Sequence, residues 1–194
     1  MNTTSIKLIS TLCLIGTLSG CASLISATRE EPIQEDSGKR TLGAYVEDEL
    51  IENKTLVNIN KGSKTVNSAH IGVTSYNGIV LLTGQVPSEA AKTEAEQIAM
   101  QTRKVRKIHN ELEIAGPTSG IVRTNDAYLT SRIKLQLLAT ENIDGGRIKV
   151  VTENSSVYLM GLVTEQEANL AISIIRTVPG VQRIVKVFEY IPKR

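Results

Sequence analysis

Cys21 is the residue whose surroundings most clearly imply chemistry. It follows an apolar run, Leu8–Leu18 (LISTLCLIGTL), and then two small residues, Ser19 and Gly20. A thiol is the side chain that accepts a diacylglyceryl group, and several acyl chains hold a protein on a membrane far more firmly than one. The position of Cys21 directly after an apolar run and two small residues therefore makes it the first candidate for covalent modification in this sequence.

The residues before Cys21 have the composition of an export signal. Lys7 supplies a weak positive start, and the apolar run is too short to cross a bilayer as a helix. The stretch LSGC resembles the bacterial lipobox, and this resemblance implies lipidation of Cys21, cleavage directly before it and a signal peptide over residues 1–20. By resemblance to lipoprotein sorting rules, Ala22 directs the protein to the outer membrane, facing the periplasm. The alternative is an ordinary cleaved signal peptide in which the Cys occurs by chance.

Catalytic and metal-binding patterns are absent from the sequence. Its two histidines, His70 and His109, fall on separate predicted strands, whereas a metal site needs clustered ligands. The chain has no G-x-S-x-G nucleophile motif, no P-loop and no G-x-G-x-x-G. Gly84 and Gly161 each stand alone in a strand pattern, which is typical of a bulge or a close backbone approach. We therefore predict no catalytic residue, no metal, no cofactor and no enzymatic activity.

Charge and aromatic content argue against nucleic acid as a partner. The chain has 22 Lys and Arg against 20 Asp and Glu, which gives a net charge of +2. It has no Trp and only one Phe, so it is poor in the aromatic residues on which single strands stack. One basic run, Arg103–Lys107 (RKVRK), falls in a predicted loop. We favour a solvated loop, and the alternative is a weak contact with lipid phosphates.

The elements that carry these residues occur twice. The stretch 79–91 reads IVLLTGQVPSEAA, and the stretch 156–168, 77 positions later, reads SVYLMGLVTEQEA. Each has an apolar strand pattern with one Gly, followed by a helix start and an Ala. Self-similarity of this kind indicates a duplicated structural unit.

We predict the same order of elements, α-β-β-α-β, in both units. In the first unit, a helix is expected to bury an apolar stripe of Leu42, Val46 and Leu50. A hairpin with an Asn-Gly turn follows over residues 70–86, then a second helix over 87–102 and a last strand over 106–114.

The second unit follows after a linker over residues 115–123. Its predicted elements are a helix over 125–139, strands over 147–153 and 156–163, a helix opened by the capping box of Thr164 and Glu167, and a strand over 181–191.

Both units resemble BON domains, small periplasmic α-β-β-α-β modules. The resemblance rests on the hairpins, on LLTGQV and LMGLV, on the capped Ala-rich helices and on NDAYLTSRIKLQLL, and it covers roughly residues 41–191. It implies an α+β fold of two tandem units, each a three-stranded mixed sheet with two helices packed on one face. The predicted divisions are a lipidated Cys and flexible tether over 21–40, a first domain over 41–115 and a second over 124–191.

The same resemblance implies a function. A protein with two BON domains behind a lipobox is similar to lipid-anchored outer-membrane proteins that bind anionic phospholipids, such as phosphatidylglycerol and cardiolipin. It also implies support of outer-membrane integrity and recruitment to the division site. The alternative is a lipid-anchored periplasmic adaptor that contacts envelope assembly proteins.

The helix over 125–139 carries the candidate phospholipid-binding residues. Tyr128 and Leu135 lie nearly opposite the expected core face, with Arg132 beside them. These residue types suit a membrane interface, because the Tyr ring can lie at headgroup level, the Leu side chain can point towards the acyl chains and the guanidinium can bind phosphate. The alternative is that this side packs on the other domain. We assign phospholipid binding to Tyr128, Leu129, Arg132, Leu135 and Ala139.

The second unit has an apolar patch on the sheet face that points away from its helices. Equivalent positions of the first unit, Leu81, Thr83, His109 and Glu111, are mostly polar and are expected to face water. An apolar patch is rarely left in water, so we expect it to pack on the first unit, with self-association as the competing use. The patch consists of Tyr158, Met160, Val185 and Val187.

Overall fold

The computed structural model describes residues 38–192, which belong to one compact unit. Cys21, the signal peptide and most of the tether lie outside these residues. The elements in chain order are α1 (Leu42–Ile59), α2 (Lys64–Asn67), β1 (His70–Tyr76), β2 (Ile79–Val86), α3 (Glu89–Met100), β3 (Lys107–Asn110), β4 (Glu113–Ile114), α4 (Gly120–Ala139), a 3-10 helix (Gly145–Arg147), β5 (Lys149–Glu153), β6 (Ser156–Val163), α5 (Glu165–Arg176) and β7 (Arg183–Tyr190).

Each domain has a mixed sheet. In the first domain β1 pairs antiparallel with β2, and both β3 and β4 pair parallel with β2. In the second domain β5 pairs antiparallel with β6, and β7 pairs parallel with β6. The prediction of an α+β fold with two tandem α-β-β-α-β units is therefore confirmed.

The last strand of the first domain differs from the prediction, because it is interrupted between β3 and β4. The side chain of Asn110 causes the break. Its Oδ1 accepts from the backbone N–H of Leu112 at 3.3 Å, and its Nδ2 donates to the Lys92 carbonyl and to Glu96 on α3. The Leu112 amide thus bonds to a side chain instead of to β2, and the Leu112 side chain is buried.

Both hairpins turn as predicted. Asn77 and Gly78 have φ of 52° and 75°, and Asn154 and Ser155 have φ of 49° and 60°. Positive φ at both central residues is the requirement of a type I′ turn, whose twist matches that of the flanking strands.

A buried aspartate ties the first helix of each domain to its hairpin. Asp48 on α1 accepts from the amides of Asn77 and Gly78 at 2.8 and 2.9 Å. Asp126 on α4 accepts from the equivalent amides of the second hairpin at 2.8 and 2.9 Å. The predicted turns leave these N–H groups pointing inward, and the two carboxylates satisfy them.

The predicted core face of α1 is wrong. Leu42, Val46 and Leu50 do form one stripe, but it faces solvent, with 88%, 60% and 45% of each residue exposed. The buried face consists of Asp48, Ile51, Thr55 and Ile59. Two of these are polar, so the face does not look like a core from sequence. Both are satisfied inside the domain: Asp48 by the hairpin and Thr55 by a 3.0 Å hydrogen bond to the Thr102 hydroxyl.

The linker between the domains is shorter than predicted, because α4 begins at Gly120 rather than at Asn125. Ser119 is its N-cap, and the Ser119 hydroxyl accepts from the amide of Val122. The connection therefore covers residues 115–119. The strand predicted to start at Arg147 starts at Lys149, after the 3-10 helix.

The lone strand glycines mark close backbone approaches, as predicted. Gly84 has φ of +117°, and a Cβ there would collide with the carbonyl of His70. A Cβ at Gly161 would lie 2.8 Å from the Arg147 carbonyl oxygen. Neither position has room for a side chain.

The two sheets pack against each other through the faces that their helices leave free. One buried cluster joins the two domains, with Tyr158, Met160 and Val187 from the second domain and Tyr76, Ile79 and Leu81 from the first. Val185 is half-buried and packs against this cluster. The expectation that the outer face of the first sheet meets water is wrong, since Leu81 and Thr83 are buried there. The layers run helix, sheet, sheet, helix.

Polar contacts surround this interdomain cluster. Arg106 donates to both carboxylate oxygens of Glu189, and Lys149 donates to Glu52 at 2.7 Å. Arg183 lies 3.5 Å from Glu111 and donates to the Tyr158 hydroxyl, and burial raises the pKa of Tyr158 to about 12. Arg106, from the basic run, therefore contacts the second domain. An apolar centre with a polar rim is typical of a specific interface.

Candidate functional site

The candidate site is the solvent face of α4. This helix of 20 residues is about 30 Å long. Its solvent side carries Tyr128, 59% exposed, and Leu135, 68% exposed, together with Ile121, Leu138 and Ala139. We call these five residues the α4 surface. Tyr128, Leu135 and Ala139 were assigned from the sequence, and the helix places them side by side.

Leu129 does not belong to the site. It is 1% exposed and lies in the core of the second domain, near Gly180 in the loop between α5 and β7. Its position on the helix matches Ile133 and Leu137, which are buried in the same cluster. The assignment of lipid binding to Leu129 is therefore corrected: a side chain on the core face cannot reach a membrane without unfolding the domain.

Ile121 and Leu138 were missed by sequence reasoning. Ile121 fell outside the predicted helix, which began at Asn125, although Ser119 is a typical N-cap residue and could have indicated the earlier start. Leu138 follows Leu135 by three residues, a spacing that puts both on one side of a helix.

The charged side chains that α4 itself turns to solvent are all positive. Arg132 is half-buried beside Tyr128, while Arg123 and Lys134 are exposed on the other flank. The single acidic residue of the helix, Asp126, is buried and occupied by the hairpin amides. The face that α4 turns to solvent thus combines exposed apolar groups with cations and has no carboxylate.

A cleft of about 280 Å³ lies at one end of the α4 surface, between the two domains. Lys134 and Leu138 line it from α4, and Tyr45 and Glu49 line it from α1. At its base the Arg40 guanidinium stacks 3.8 Å from the Tyr76 ring centroid and 4.6 Å from that of Tyr45.

Arg40 also helps to hold Asp48 ionised. Burial of the Asp48 carboxylate opposes its charge, but hydrogen bonds from Gly78, Ser75, Arg40 and Asn77 outweigh burial and keep the pKa of Asp48 below its ordinary value. The Arg40–Asp48 contact is 2.6 Å long and the arginine is largely buried. The residues just before α1 are thereby fixed to the folded unit.

Residues 38–192 show no other chemical site. They contain no group of three or more His, Cys, Asp or Glu that could hold a metal ion. Burial, together with the nearby Lys107, lowers the pKa of His109. Over the same residues, no helix has both the length and the apolar character needed to cross a membrane.

Comparison with known proteins agrees with this architecture. The BON domain profile matches residues 47–116 and 125–192, and each interval begins within the first helix of one domain and ends just after the last strand of that domain. The C-terminal domain of CdsD, a structural protein of the type III secretion system of Chlamydia trachomatis, is 13% identical and covers 75% of this chain and 67% of its own. Its TM-score of 0.30 is too low to support an argument.

Several proteins are similar over most of the chain, and two of them are at least 30% identical to it. "Outer membrane lipoprotein DolP" of Haemophilus influenzae is 30% identical over 174 residues, which are 90% of this chain and 90% of that protein. "21 kDa hemolysin" of Actinobacillus pleuropneumoniae is 35% identical over 153 residues, 78% of each chain. Because the BON domain profile matches this chain twice and these relatives share at least 30% identity with it, the chain belongs to the BON domain family, as a protein with two BON domains in tandem.

Proposed function

We propose that the protein is an outer-membrane lipoprotein that faces the periplasm, binds anionic phospholipid through the α4 surface and supports the integrity of the membrane. The observation that carries this proposal is the face of α4. Exposed Tyr128 and Leu135 stand among cations, with no exposed carboxylate on the helix.

Each group on the α4 surface has a counterpart in an anionic bilayer. The amphipathic ring of Tyr128 suits the headgroup level, and Leu135 and Leu138 suit the acyl boundary. Arg123, Arg132 and Lys134 would each gain about 1 kcal/mol near an anionic leaflet. Full burial of one aliphatic side chain adds roughly 1.5–3 kcal/mol as an upper limit. These terms support reversible binding that a lipid anchor would strengthen.

The anchor is the second part of the proposal. Cys21 follows the apolar run and the small residues that lipidation requires, and a similar protein is named an outer membrane lipoprotein. Attachment at Cys21 would keep α4 close to the membrane, so that a weak surface contact becomes an intramolecular one with a high effective concentration. Recruitment to the division site is part of the same proposal and rests on family resemblance alone.

Vesicle binding by the chain from Ala22 onward tests the α4 surface. Tyr128→Glu and Leu135→Glu should each weaken binding to phosphatidylglycerol or cardiolipin vesicles at least tenfold while the circular dichroism spectrum is unchanged. Arg132→Glu should weaken it more at low salt than at high salt, because salt screens the charge. Met100→Glu is the matched control, since Met100 is an exposed apolar residue on α3 of the first domain. Wild-type binding by all three variants would instead support the adaptor function.

Fractionation of cells tests the anchor. With Cys21→Ser, the protein should leave the outer-membrane fraction and appear as a soluble or inner-membrane-retained precursor. A variant that still sediments with the outer membrane would contradict lipidation as the means of attachment. Combining Cys21→Ser with Tyr128→Glu separates an anchor from retention by the folded domain.

A further inference from the structure

The cleft between the two domains is lined by charged side chains from both of them. Glu49 lines it from α1 of the first domain, and Lys134 lines it from α4 of the second. Two glycines of the second domain, Gly145 and Gly146, form part of the wall and leave the space open. The volume of about 280 Å³ lies at the small end of the range of ligand sites, which is roughly 300–1,000 Å³. A headgroup fits this space, and a whole lipid does not.

Two cations that line the cleft already have carboxylate partners. The Arg40 guanidinium donates to Asp48 at 2.6 Å, and the Lys149 ammonium donates to Glu52 at 2.7 Å. Both carboxylates belong to α1. Because each pair has no net charge, neither pair selects a ligand by its charge.

The charged lining residues that remain are Glu49 and Lys134. Both are exposed, and neither side chain forms an ion pair or a hydrogen bond within residues 38–192. The cleft thus offers one carboxylate and one ammonium to a ligand. A ligand with one positive and one negative group matches both, whereas a purely anionic group is attracted by Lys134 and repelled by Glu49.

The surroundings of these two charges favour a lipid headgroup as the zwitterion. Tyr45 lies four residues before Glu49 on α1, is 54% exposed and adds an aromatic ring that attracts a cation. Leu138 lies four residues after Lys134, lines the cleft and is part of the α4 surface. The Glu49 side of the cleft therefore suits an ammonium, and the Lys134 side leads from a phosphate to apolar groups.

We propose that the cleft binds the headgroup of a phospholipid that carries phosphoethanolamine. The Lys134 ammonium donates to the phosphate, and the Glu49 carboxylate accepts from the primary ammonium of the ligand. The acyl chains continue along Leu138 and Leu135 of the α4 surface. Choline in place of ethanolamine has no N–H group to donate, so Glu49 distinguishes the two headgroups.

This headgroup site adds selectivity to the α4 surface. The cations beside the α4 surface are attracted to any anionic leaflet, but the cleft selects one zwitterionic headgroup. A leaflet with both types of lipid therefore occupies both sites. The inference rests on the proposed function for the contact with a membrane, whereas recognition of the headgroup does not depend on it.

Vesicles with a constant fraction of phosphatidylglycerol test lipid recognition by the chain from Ala22 onward. Phosphatidylethanolamine in place of phosphatidylcholine as the second lipid should strengthen wild-type binding about tenfold, the value of one hydrogen bond to a charged group. Glu49→Gln should bind the two types of vesicle equally, because the amide lacks the charge. Glu47→Gln is the matched control and should behave as wild type, since Glu47 lies on the same helix but is paired with Lys104 outside the cleft.

A soluble headgroup separates the cleft from the membrane. Titration with glycerophosphoethanolamine, followed by NMR, should shift the amide resonances of Gly145 and Gly146 in the wild type. Glycerophosphocholine should leave them in place at the same concentration. Lys134→Gln and Glu49→Gln should each reduce the shifts at least tenfold in ligand affinity, and both positions are exposed, so the fold should be unchanged.

The outcomes separate this inference from the proposed function. Equal wild-type binding to the two types of vesicle would overturn the headgroup site, even where Tyr128→Glu loses binding to both and so supports the α4 surface. A preference that persists in Glu49→Gln would also overturn it, because the preference then arises outside the cleft. Shifts with the soluble compound but no preference between vesicles would overturn the lipid as the source of the ligand. A wild type that binds neither type of vesicle would refute the proposed function, and the soluble titration alone then decides whether the cleft recognises phosphoethanolamine.

Discussion

We predict that Val187→Asp separates the two domains, because Val187 lies in the contact between the two sheets. Val187 is 2% exposed and lies in the interdomain cluster, with Tyr158, Met160 and Leu81 around it. It belongs to neither of the two cores beneath the helices. An uncompensated carboxylate in such a position costs roughly 3–5 kcal/mol. Separation of the domains returns that carboxylate to water, so we expect the interface to open before either core unfolds.

Two control variants separate the effect of the buried charge from the effect of lost packing. Val187→Ala removes two buried methyl groups, which at about 0.8 kcal/mol each, plus a cavity term, gives roughly 2 kcal/mol without any charge. Lys186→Asp places the same acidic side chain one position earlier on β7, where the residue is exposed. It should leave the domains together.

Two measurements report the opening. Limited digestion with an unspecific protease should cut the connection over residues 115–119 much faster in Val187→Asp than in the wild type. Calorimetry should resolve two transitions in place of one, because the domains no longer unfold as a unit. A single transition with an unchanged midpoint and a resistant linker would refute the account of the interface as the element that couples the domains.

Two further predictions concern the buried polar and glycine positions. Asp48→Asn should cost about 3 kcal/mol at neutral pH, since hydrogen bonds to the charged carboxylate are lost. The pKa of Asp48 is lower in the folded state than in the unfolded one, so its contribution to stability is present at neutral pH and is lost as pH falls below about 4. Urea titrations should therefore show that the free energy of unfolding falls more steeply with acid in the wild type than in the variant. Parallel curves of unfolding free energy against pH would contradict this. Gly84→Ala should destabilise the protein by more than about 3 kcal/mol, because the position has positive φ and a Cβ there would collide with the His70 carbonyl. The control is Gly116→Ala, which should change stability by less than about 0.5 kcal/mol because no atom lies near its Cβ. Similar unfolding midpoints for the two variants would argue against this account of Gly84.

Repeat and turn patterns predicted most of the fold. The Asn77-Gly78 turn, the capped helices and the strand pattern each depend on local chemistry, and each appears in the structure close to its predicted bounds. The apolar patch of the second sheet could be recognised because it lacks the alternation of a sheet that is wet on one side.

The face that α1 buries could not be predicted from periodicity alone. Period 3.6 shows which residues share a side of a helix, but it does not show which side meets the core. Apolar count favoured Leu42, Val46 and Leu50, whereas the domain buries Asp48 and Thr55 because partners elsewhere in the chain satisfy them. Alignment of the first helices of the two repeats would have revealed the error, since it places Asp48 on Asp126.

The polar contacts between the domains could not be predicted from the sequence, for a related reason. Arg106 was interpreted as part of a basic loop, but its partner is Glu189, 83 positions away. An exposed ion pair of this kind contributes little, and its value depends on the geometry that the apolar cluster has already set. Charge patterns along a chain hold no information about such distant pairs.

The face-to-face contact of the sheets also sets an order of events during folding. The outer face of the first sheet is formed by residues such as Ile79 and Leu81, whose cover comes from β6 and β7 near the end of the chain. The chain leaves the ribosome or a translocation pore with its N-terminus first. Its first sheet can therefore form while one apolar face of that sheet is still exposed to solvent. Contacts between distant segments form slowly, and exposed sheet surface in the interval promotes aggregation. The rate at which the C-terminal strand arrives thus determines how long the first domain needs protection.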